Sequence, residues 1–270
     1  MHPIFFQFEV PEFLHGFLPD TITIFSYGFF IACGAIAAFI YTAYQAKKQL
    51  NVKIETVQLL IILIIISAVI GGKFFIIFED PKYYLSNPAL LFKSFNTGFV
   101  FYGSLLFAIP TILLFFKAHK LPVLPMLDIM AGAVCLVHGF GRIGCFMAGC
   151  CYGIPNEGIF SVTFSDPKCV AEPLHTPLHA TQLYSSTAIF AILAIIIFVS
   201  RRKQFDGQLF MLYLMLYSIA RTILEIFRGD LERGFLLENV LSNSQFISII
   251  VFFVALFFYV RLAKKSKKVR

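Results

Sequence analysis

The segment VHGFGRIGCFMAGCCYG, residues 137–153, places groups that can do chemistry inside an otherwise apolar stretch. His138 and Arg142 are four residues apart, so on a helix their side chains project from one face, about one turn apart. An ionised group inside a membrane is costly and usually has a functional role. The glycines of the segment, Gly144 and Gly153 among them, allow a ligand or another helix to approach the backbone closely. We therefore favour an anion-binding site over an arginine that only extends to the membrane interface.

A second set of charges lies in the segment ARTILEIFR. Arg221, Glu225 and Arg228 have the spacing i, i+4, i+7 and are expected to share one face of a helix. We predict that Glu225 forms an ion pair with Arg221. Arg228 and Arg142 both fall near the ends of their apolar spans, and a guanidinium group can bind a phosphate through two parallel hydrogen bonds. The sequence thus predicts that these two arginines bind one anionic group together.

Three cysteines close to Arg142 suggest metal or redox chemistry. Cys145, Cys150 and Cys151 have the spacing C-x4-C-C, which differs from the usual zinc-binding patterns. We therefore predict no metal, although Cys169 and His175 offer further ligands. Two alternatives stay open: a disulfide from Cys150 or Cys151 to Cys169 in an oxidising compartment, and a membrane thiol/redox or metal-handling function that uses all four of these cysteines.

Composition indicates the elements that carry these groups. Apolar residues make up 59% of the chain and charged residues only 14%, whereas a soluble domain has about 25% charged residues. Apolar runs such as TVQLLIILIIISAVIGGKFFIIF can cross a hydrocarbon layer of about 30 Å. We predict an all-α polytopic membrane protein with a single transmembrane domain, residues 1–270. Seven spans are expected, approximately at 21–44, 56–78, 99–117, 125–147, 181–200, 207–228 and 242–262.

The distribution of basic residues predicts the orientation of the spans. Of the 22 Lys and Arg residues, 14 lie in alternate loops and in the tail that follows the last span, and such loops face the cytoplasm. We therefore predict an outer N-terminus and a cytoplasmic C-terminus, and no binding of nucleic acid. Loops at about 79–98 and 148–180 then lie outside and are expected to contribute to a site. Asp128, at the inner end of the fourth span, is predicted to be a structural hydrogen-bonding group. Tyr27 and Tyr102 are either interface anchors or site residues.

The segment GRIGCFMAGCCYG resembles the pattern G-R-I-G-N-F-x-N-G-E-x-x-G of the bacterial prolipoprotein diacylglyceryl transferases. Other segments also resemble motifs of that family, namely SYGFF, GGKFFIIF, HATQLY and ARTILEIFR. Seven spans with an outer N-terminus fit the family as well. Cys145 and Cys150 stand where the family has Asn and Glu. Tyr102, in FYGSL, stands where the family commonly has a histidine that is proposed to accept the proton of the substrate thiol.

The resemblance implies an enzyme of the bacterial inner membrane that needs no cofactor. It would transfer a diacylglyceryl group from phosphatidylglycerol to the lipobox cysteine thiol of a prolipoprotein signal peptide and release glycerol phosphate. Its partners would be these two substrates and the surrounding membrane lipids. A paralogue that binds phospholipid without chemistry is a further alternative.

The resemblance also implies roles for individual residues. Arg142 matches the phospholipid-binding arginine and Arg228 the second essential arginine, while the proton acceptor is open between Tyr102, His138 and His179. The implied catalytic residues are Arg142, Arg228, Tyr102 and His138. The implied substrate-binding residues are Arg142, Tyr27, Gly144, Gly153, Arg221, Glu225 and His179.

Overall fold

Seven long helices dominate the protein in a computed structural model, which describes residues 1–11, 20–78, 81–86, 100–229, 235–237 and 241–269. The described helices are α1 (Ser26–Leu50), α2 (Ile54–Ile76), the short α3 (Pro81–Ser86), α4 (Phe101–Ala118), α5 (Val123–Ala148), α6 (Thr181–Ser200), α7 (Gln208–Leu224) and α8 (Asn243–Val269). Six of them are long and apolar enough to cross a membrane, and α4, which contains Pro110, is a shorter apolar helix. The chain is therefore a multi-pass membrane protein, and the predicted fold class is confirmed.

Within the described ranges, three small antiparallel strand pairs accompany the helices, and they were not predicted. They pair β1 (Ile4–Glu9) with β2 (Thr21–Phe25), β3 (Ser161–Thr163) with β4 (Pro177–His179), and β5 (Phe235–Leu237) with β6 (Leu241–Ser242). The first hairpin corrects the predicted start of the first span at residue 21. The segment TITIF alternates Thr with Ile, which suits a strand, so α1 begins only at Ser26.

The chain forms two compact units, one of Met1–Tyr41 with Leu127–Arg270 and one of Thr42–Met126. The core of the first unit is an apolar cluster on α5, α6 and α7, made of Ala131, Cys135, Ile189, Ile192, Ile196, Leu209 and Tyr213. This cluster holds together the three helices that carry most of the predicted site residues. A single domain over the whole chain stays a prediction.

Small residues let α1 and α5 approach each other in the first unit. A Cβ atom added to Gly34 would lie 3.0 Å from the Cβ of Phe140, and one added to Gly144 would lie 3.1 Å from the carbonyl oxygen of Tyr27. Because Tyr27 and Gly34 contact successively earlier parts of α5, the two helices run antiparallel. Close packing at small residues is the usual way in which helices associate in membranes.

Asp128 joins α5 to the start of α7. Its carboxylate, which is 1% exposed, accepts hydrogen bonds from the backbone N–H groups of Gly207 at 2.8 Å and Phe210 at 2.9 Å. It also pairs with the ammonium group of Lys203 at 3.2 Å. The first N–H groups of a helix have no partner within the helix, so a carboxylate there satisfies them and interacts favourably with the helix dipole. The structural role predicted for Asp128 is confirmed.

In the second unit, α2 and α4 pack at a pair of glycines. A Cβ atom added to Gly103 would lie 2.5 Å from the carbonyl oxygen of Gly71, and one added to Gly71 would clash with the carbonyl oxygen of Gly103. The N–H group of Val100 also donates to the carbonyl oxygen of Gly72 at 3.2 Å. These contacts fix the first turn of α4, which carries Tyr102. Most of the predicted loop at 79–98 lies outside the described residues, which there comprise only α3.

Candidate active site

The C-terminus of α5 ends in a Schellman motif. Gly149 has the left-handed φ of +79°, and its N–H group donates to the carbonyl oxygen of Phe146 at 3.3 Å. The N–H group of Cys150 donates to the carbonyl oxygen of Cys145 at 3.1 Å. These are the two hydrogen bonds of the motif, which folds the residue after the turn back over the last turn of the helix. Cys150 thus returns to the side of Cys145.

Three thiols gather at this helix end. The Sγ atoms of Cys145, Cys150 and Cys151 all lie within 4.8 Å of one another, and the three residues are half-buried. Cys151 has a φ of +59°, an uncommon conformation for a residue with a side chain. All six cysteines are free, so the alternative of a disulfide to Cys169 is wrong for this structure. The fold has produced a cluster that the spacing alone did not suggest.

Arg142 lies one turn before this cluster on the same helix. Its Nε donates a hydrogen bond to Nε2 of His138 at 3.3 Å. Because Nε2 accepts, His138 is neutral with its proton on Nδ1, and its ring packs edge-on against Tyr217 at 5.5 Å. Arg142 and Arg221 line one small cavity between α5, α6 and α7. The predicted shared face of His138 and Arg142 is thus observed, and His138 orients the arginine.

The second set of charges differs in part from the prediction. Arg221 and Glu225 form the expected ion pair at 2.9 Å, and Arg221 also donates to Oγ of Ser244 on α8 at 2.9 Å. However, α7 ends at Leu224, a 3-10 turn follows at Glu225–Phe227, and Arg228 is extended with ψ of 138°. The prediction that Arg228 continues the face of Arg221 and Glu225 on one helix is therefore wrong.

The backbone around Arg228 pairs with the segment after the thiol cluster instead. Arg228 and Gly153 form an antiparallel bridge, in which the N–H group of Ile154 donates to the carbonyl oxygen of Phe227 at 3.0 Å. A Cβ atom added to Gly153 would lie 2.5 Å from both the carbonyl oxygen of Phe227 and the Cβ of His179. Only a glycine fits between these groups, and this fit joins Arg228 to the end of α5.

The segment HATQLY supports the same region from the start of α6. Thr181 Oγ1 donates to the carbonyl oxygen of Cys151 at 2.7 Å, and Gln182 Nε2 donates to the carbonyl oxygen of Cys150 at 2.7 Å. Both side chains are buried. Among the described residues, Oε1 of Gln182 has no hydrogen-bond partner. Thr181 and Gln182 therefore fix the backbone of two of the three clustered cysteines.

His179 lies against Gly153 and is held by Tyr184. The hydroxyl of Tyr184 donates its only hydrogen to the carbonyl oxygen of Phe160 at 3.1 Å. Because that hydrogen is used, Nδ1 of His179 must be the donor in its 3.0 Å hydrogen bond with the same hydroxyl. The lone pair is then on Nε2, which has no hydrogen-bond partner within the part of the chain that the structure describes. His179 can accept a proton at that atom.

The two arginines predicted to act together, Arg142 and Arg228, both exert an electrostatic effect on the thiol cluster. Hydrogen bonds with the thiols of Cys145 and Cys150 lower the pKa of Cys151, and burial opposes this effect. The charges of Arg142 and Arg228 lower the pKa of Cys151 further. Both guanidinium groups are thus close enough to one sulfur atom to stabilise negative charge there.

The remaining predicted residues occupy two different parts of the fold. Tyr27, in the first turn of α1, packs its ring against Gly144 and lies within electrostatic range of Arg142 and the three thiols. It is 44% exposed. Tyr102 belongs to the second compact unit. The structure therefore brings together all predicted site residues of the first unit, and the role of Tyr102 stays a prediction.

Sequence analysis gave no role to three supporting residues, Thr181, Gln182 and Tyr184. Thr181 and Gln182 stood out only as part of the segment HATQLY. Their polar side chains at the start of an apolar helix were a signal that they bond to other groups, but their partners lie about 30 residues away and could not be read from the sequence. Tyr184, which sets the tautomer of His179, follows one turn after Ala180 and carried no separate signal.

Taken together, these features define a multi-pass membrane protein with a cationic site at the ends of α5 and α7. The family model described as prolipoprotein diacylglyceryl transferase matches residues 17–261, and the chain belongs to this family. A Clostridium tetani protein named phosphatidylglycerol–prolipoprotein diacylglyceryl transferase is 37% identical over 238 residues, 88% of this chain and 93% of the relative.

Two further relatives have corresponding names. The Clostridium perfringens protein named phosphatidylglycerol–prolipoprotein diacylglyceryl transferase 2 is 34% identical over 245 residues, 88% of this chain and 91% of that protein. A Dehalococcoides mccartyi protein (strain ATCC BAA-2100), also named phosphatidylglycerol–prolipoprotein diacylglyceryl transferase, is 25% identical over 264 residues. The match covers 97% of this chain and 98% of that protein. The resemblance predicted from the sequence is confirmed.

Proposed function

We propose that this chain transfers the diacylglyceryl group of phosphatidylglycerol to the lipobox cysteine thiol of a prolipoprotein. The observation that carries the proposal is the environment of Arg142. Its guanidinium is half-buried and its hydrogen-bond partner is the neutral imidazole of His138, and no carboxylate pairs with it among the described residues. A half-buried cation at a membrane helix end that lacks an anionic partner among the described residues is suited to bind an anionic ligand.

In the reaction, the substrate sulfur forms a thioether bond to the glycerol carbon that carries the phosphate ester. The bond between that carbon and its oxygen breaks, and glycerol phosphate leaves with the electron pair. Arg142 and Arg228 stabilise the charge that develops on the leaving phosphate, and such stabilisation is strong in a site of low dielectric constant. Their common effect on the Cys151 thiol supports this arrangement.

The thiol proton needs an acceptor, because the thiolate is the attacking form. Nε2 of His179 carries a lone pair, whereas Nε2 of His138 already accepts from Arg142. We assign His179 as the base and His138 as the residue that orients Arg142. A neutral phenol accepts a proton much less readily than an imidazole, so we do not assign the base to Tyr102.

The two substrates are both lipophilic, and they enter from the bilayer. Tyr27 lies against Gly144 where α1 meets the end of α5, so its exposed ring can contact a lipid beside Arg142. The ion pair with Glu225 and the hydrogen bond to Ser244 of α8 orient Arg221. The distribution of Lys and Arg supports an orientation with the N-terminus outside and the C-terminus in the cytoplasm. The family membership supports a location in the bacterial inner membrane.

The test uses the full chain in nanodiscs that contain phosphatidylglycerol, with a synthetic prolipoprotein signal peptide. Mass spectrometry is expected to show a diacylglyceryl thioether on the lipobox cysteine, and glycerol phosphate is released in equal amount. A peptide with serine in place of that cysteine and nanodiscs of phosphatidylethanolamine are the controls. Binding of phosphatidylglycerol without release of glycerol phosphate would instead identify a non-catalytic phospholipid-binding paralogue.

A further inference from the structure

The reaction proposed above assigns no step to the thiol cluster of Cys145, Cys150 and Cys151. We propose that it is a metal site that binds one soft, thiophilic ion, best matched by Cu(I), through three thiolates. The proposal is independent of the transferase activity, because it rests on the ligand atoms and their surroundings alone. It also revises the sequence prediction of no metal, which considered only the spacing of the cysteines.

The positions of the three sulfur atoms fit one ion. Sulfur atoms bound to a common metal at about 2.3 Å lie about 4 Å apart, and the three Sγ atoms here are within 4.8 Å of one another. Small side-chain rotations therefore complete the site. Thiolate ligands select soft ions such as Cu(I) over hard ones such as Mg²⁺ or Ca²⁺.

The number of ligands favours Cu(I) over Zn²⁺. Structural zinc sites are almost always tetrahedral with four protein ligands, and the described residues offer only three at this point. Cys169, the predicted fourth thiol, packs against Gly149 instead. Cu(I) is stable with three thiolates in a plane, so the cluster is complete for this ion.

The backbone holds the ligands in place before any metal binds. The Schellman hydrogen bonds at Gly149 bring Cys150 back to Cys145, and Thr181 and Gln182 fix the carbonyl groups of Cys151 and Cys150. A site that is organised in advance loses little conformational entropy on binding. Cys151 keeps a left-handed φ of +59°, and such strained conformations concentrate at functional sites.

The positive charges around the cluster stabilise the anionic complex that forms when Cu(I) binds. Three thiols release three protons to solvent as they bind Cu(I), the copper keeps its oxidation state, and the resulting Cu(I) tris-thiolate carries a formal charge of −2. Arg142 and Arg228 each supply one positive charge within electrostatic range of Cys151. A buried anionic complex is stable when such cations accompany it.

The test titrates the reduced, metal-free full chain in nanodiscs with Cu(I) under anaerobic conditions, against a Cu(I) chelator of known affinity. We expect one tightly bound Cu(I) per chain, with the ultraviolet thiolate-to-copper charge-transfer band. Each of Cys145→Ser, Cys150→Ser and Cys151→Ser is expected to lose this tight site. Cys169→Ser, in the same loop and next to Gly149, is the matched control and is expected to retain it.

A measurement on the unmutated chain guards against variants that fold poorly. X-ray absorption spectroscopy of the Cu(I)-loaded protein is expected to show three sulfur neighbours. The proposal is overturned if the unmutated chain binds Cu(I) no more tightly than the triple serine variant, if Cys169→Ser abolishes binding equally, or if Zn²⁺ displaces Cu(I) at equal concentration.

Discussion

Nε of Arg142 donates a hydrogen bond to Nε2 of His138, one turn earlier on α5, at 3.3 Å. The bond fixes the plane of the guanidinium group, and its two terminal nitrogens, which have no hydrogen-bond partner in the described part of the chain, are left for a ligand. Orientation of this kind matters for a phosphate, because bidentate binding requires a planar donor pair in the right direction. His138 thus contributes to binding without contacting the reacting atoms.

Arg142→Lys is expected to lower the rate of diacylglyceryl transfer by about 10²- to 10³-fold, the usual effect of removing one oriented donor from a developing oxyanion. A lysine keeps the charge and cannot form the bidentate pair. The matched control is Arg202→Lys, at an exposed position after α6, which should transfer normally. Near-normal lipidation of the peptide by the Arg142→Lys variant would refute the role of this arginine.

His179→Ala is expected to lower kcat by about 10²- to 10⁴-fold, because the thiol proton then lacks its acceptor. The residual activity should increase with pH, since only the spontaneously ionised thiol can react. His138→Ala is the comparison: it should raise KM for phosphatidylglycerol and keep the original shape of the pH–rate profile. If His138→Ala, and not His179→Ala, changes that profile, the two roles are reversed.

Gly153→Ala is expected to reduce both stability and activity, because the new Cβ would lie 2.5 Å from the Cβ of His179 and the carbonyl oxygen of Phe227. Overpacking of this kind costs about 1–3 kcal/mol, and here it also displaces His179 and Arg228. Gly141→Ala is the control, since an added Cβ there meets nothing within 4 Å. Thermal unfolding in detergent and the transfer assay measure the two effects. Equal behaviour of the two variants would contradict the tight fit at Gly153.

Asp128→Asn is expected to destabilise the protein by about 1–3 kcal/mol, the range for leaving buried hydrogen-bonding groups unsatisfied. Asn lacks the charge that pairs with Lys203, and its amide can accept at only one atom, whereas the carboxylate accepts from both Gly207 and Phe210. Asp206→Asn also loses a bond to Lys203, but its side chain is 57% exposed, so it should unfold close to the unmutated midpoint. A larger shift for Asp206→Asn than for Asp128→Asn would exclude this account.

Cys151 is expected to react with iodoacetamide at lower pH than Cys169 in the reduced, metal-free protein. The neighbouring thiols and both arginines lower the pKa of Cys151, whereas burial and then Asp166 raise the pKa of Cys169. A thiol with a lowered pKa is already thiolate, the reactive form, at a pH where the other is still protonated. Arg142→Gln should shift the labelling of Cys151 to higher pH. Mass spectrometry of tryptic peptides across a pH series gives both profiles, and identical profiles would exclude the electrostatic effect.

The sequence predicted the fold class and two local contacts, the shared face of His138 with Arg142 and the ion pair of Arg221 with Glu225, because these depend on strong local signals. Long apolar runs indicated the seven helices, and the spacing of Arg221 and Glu225 indicated their ion pair. The conformation of Arg228 was not predictable in this way, because the helix gives way to a 3-10 turn whose extended exit is stabilised by pairing with Gly153. That contact joins residues far apart in the sequence.

The thiol cluster was not predictable from the sequence either, although its cysteines are close together in the chain. Spacing rules for zinc assume that ligands two to four residues apart lie on one turn, whereas Cys145 and Cys150 meet through the reversal at Gly149. The glycine was visible in the sequence, but its left-handed conformation depends on where α5 ends. Helix boundaries are the least reliable part of a sequence-based assignment.

The reversal at Gly149 also explains how a cluster of side chains can form at this helix end without a change of fold. A Schellman ending always sets the third-last helical position beside the second residue after the helix, whatever side chains occupy them. Exchange of two such side chains for cysteine, next to a third, therefore needs no rearrangement of the backbone. Point substitutions at one helix terminus are then enough to bring three thiol groups together within electrostatic range of two arginines.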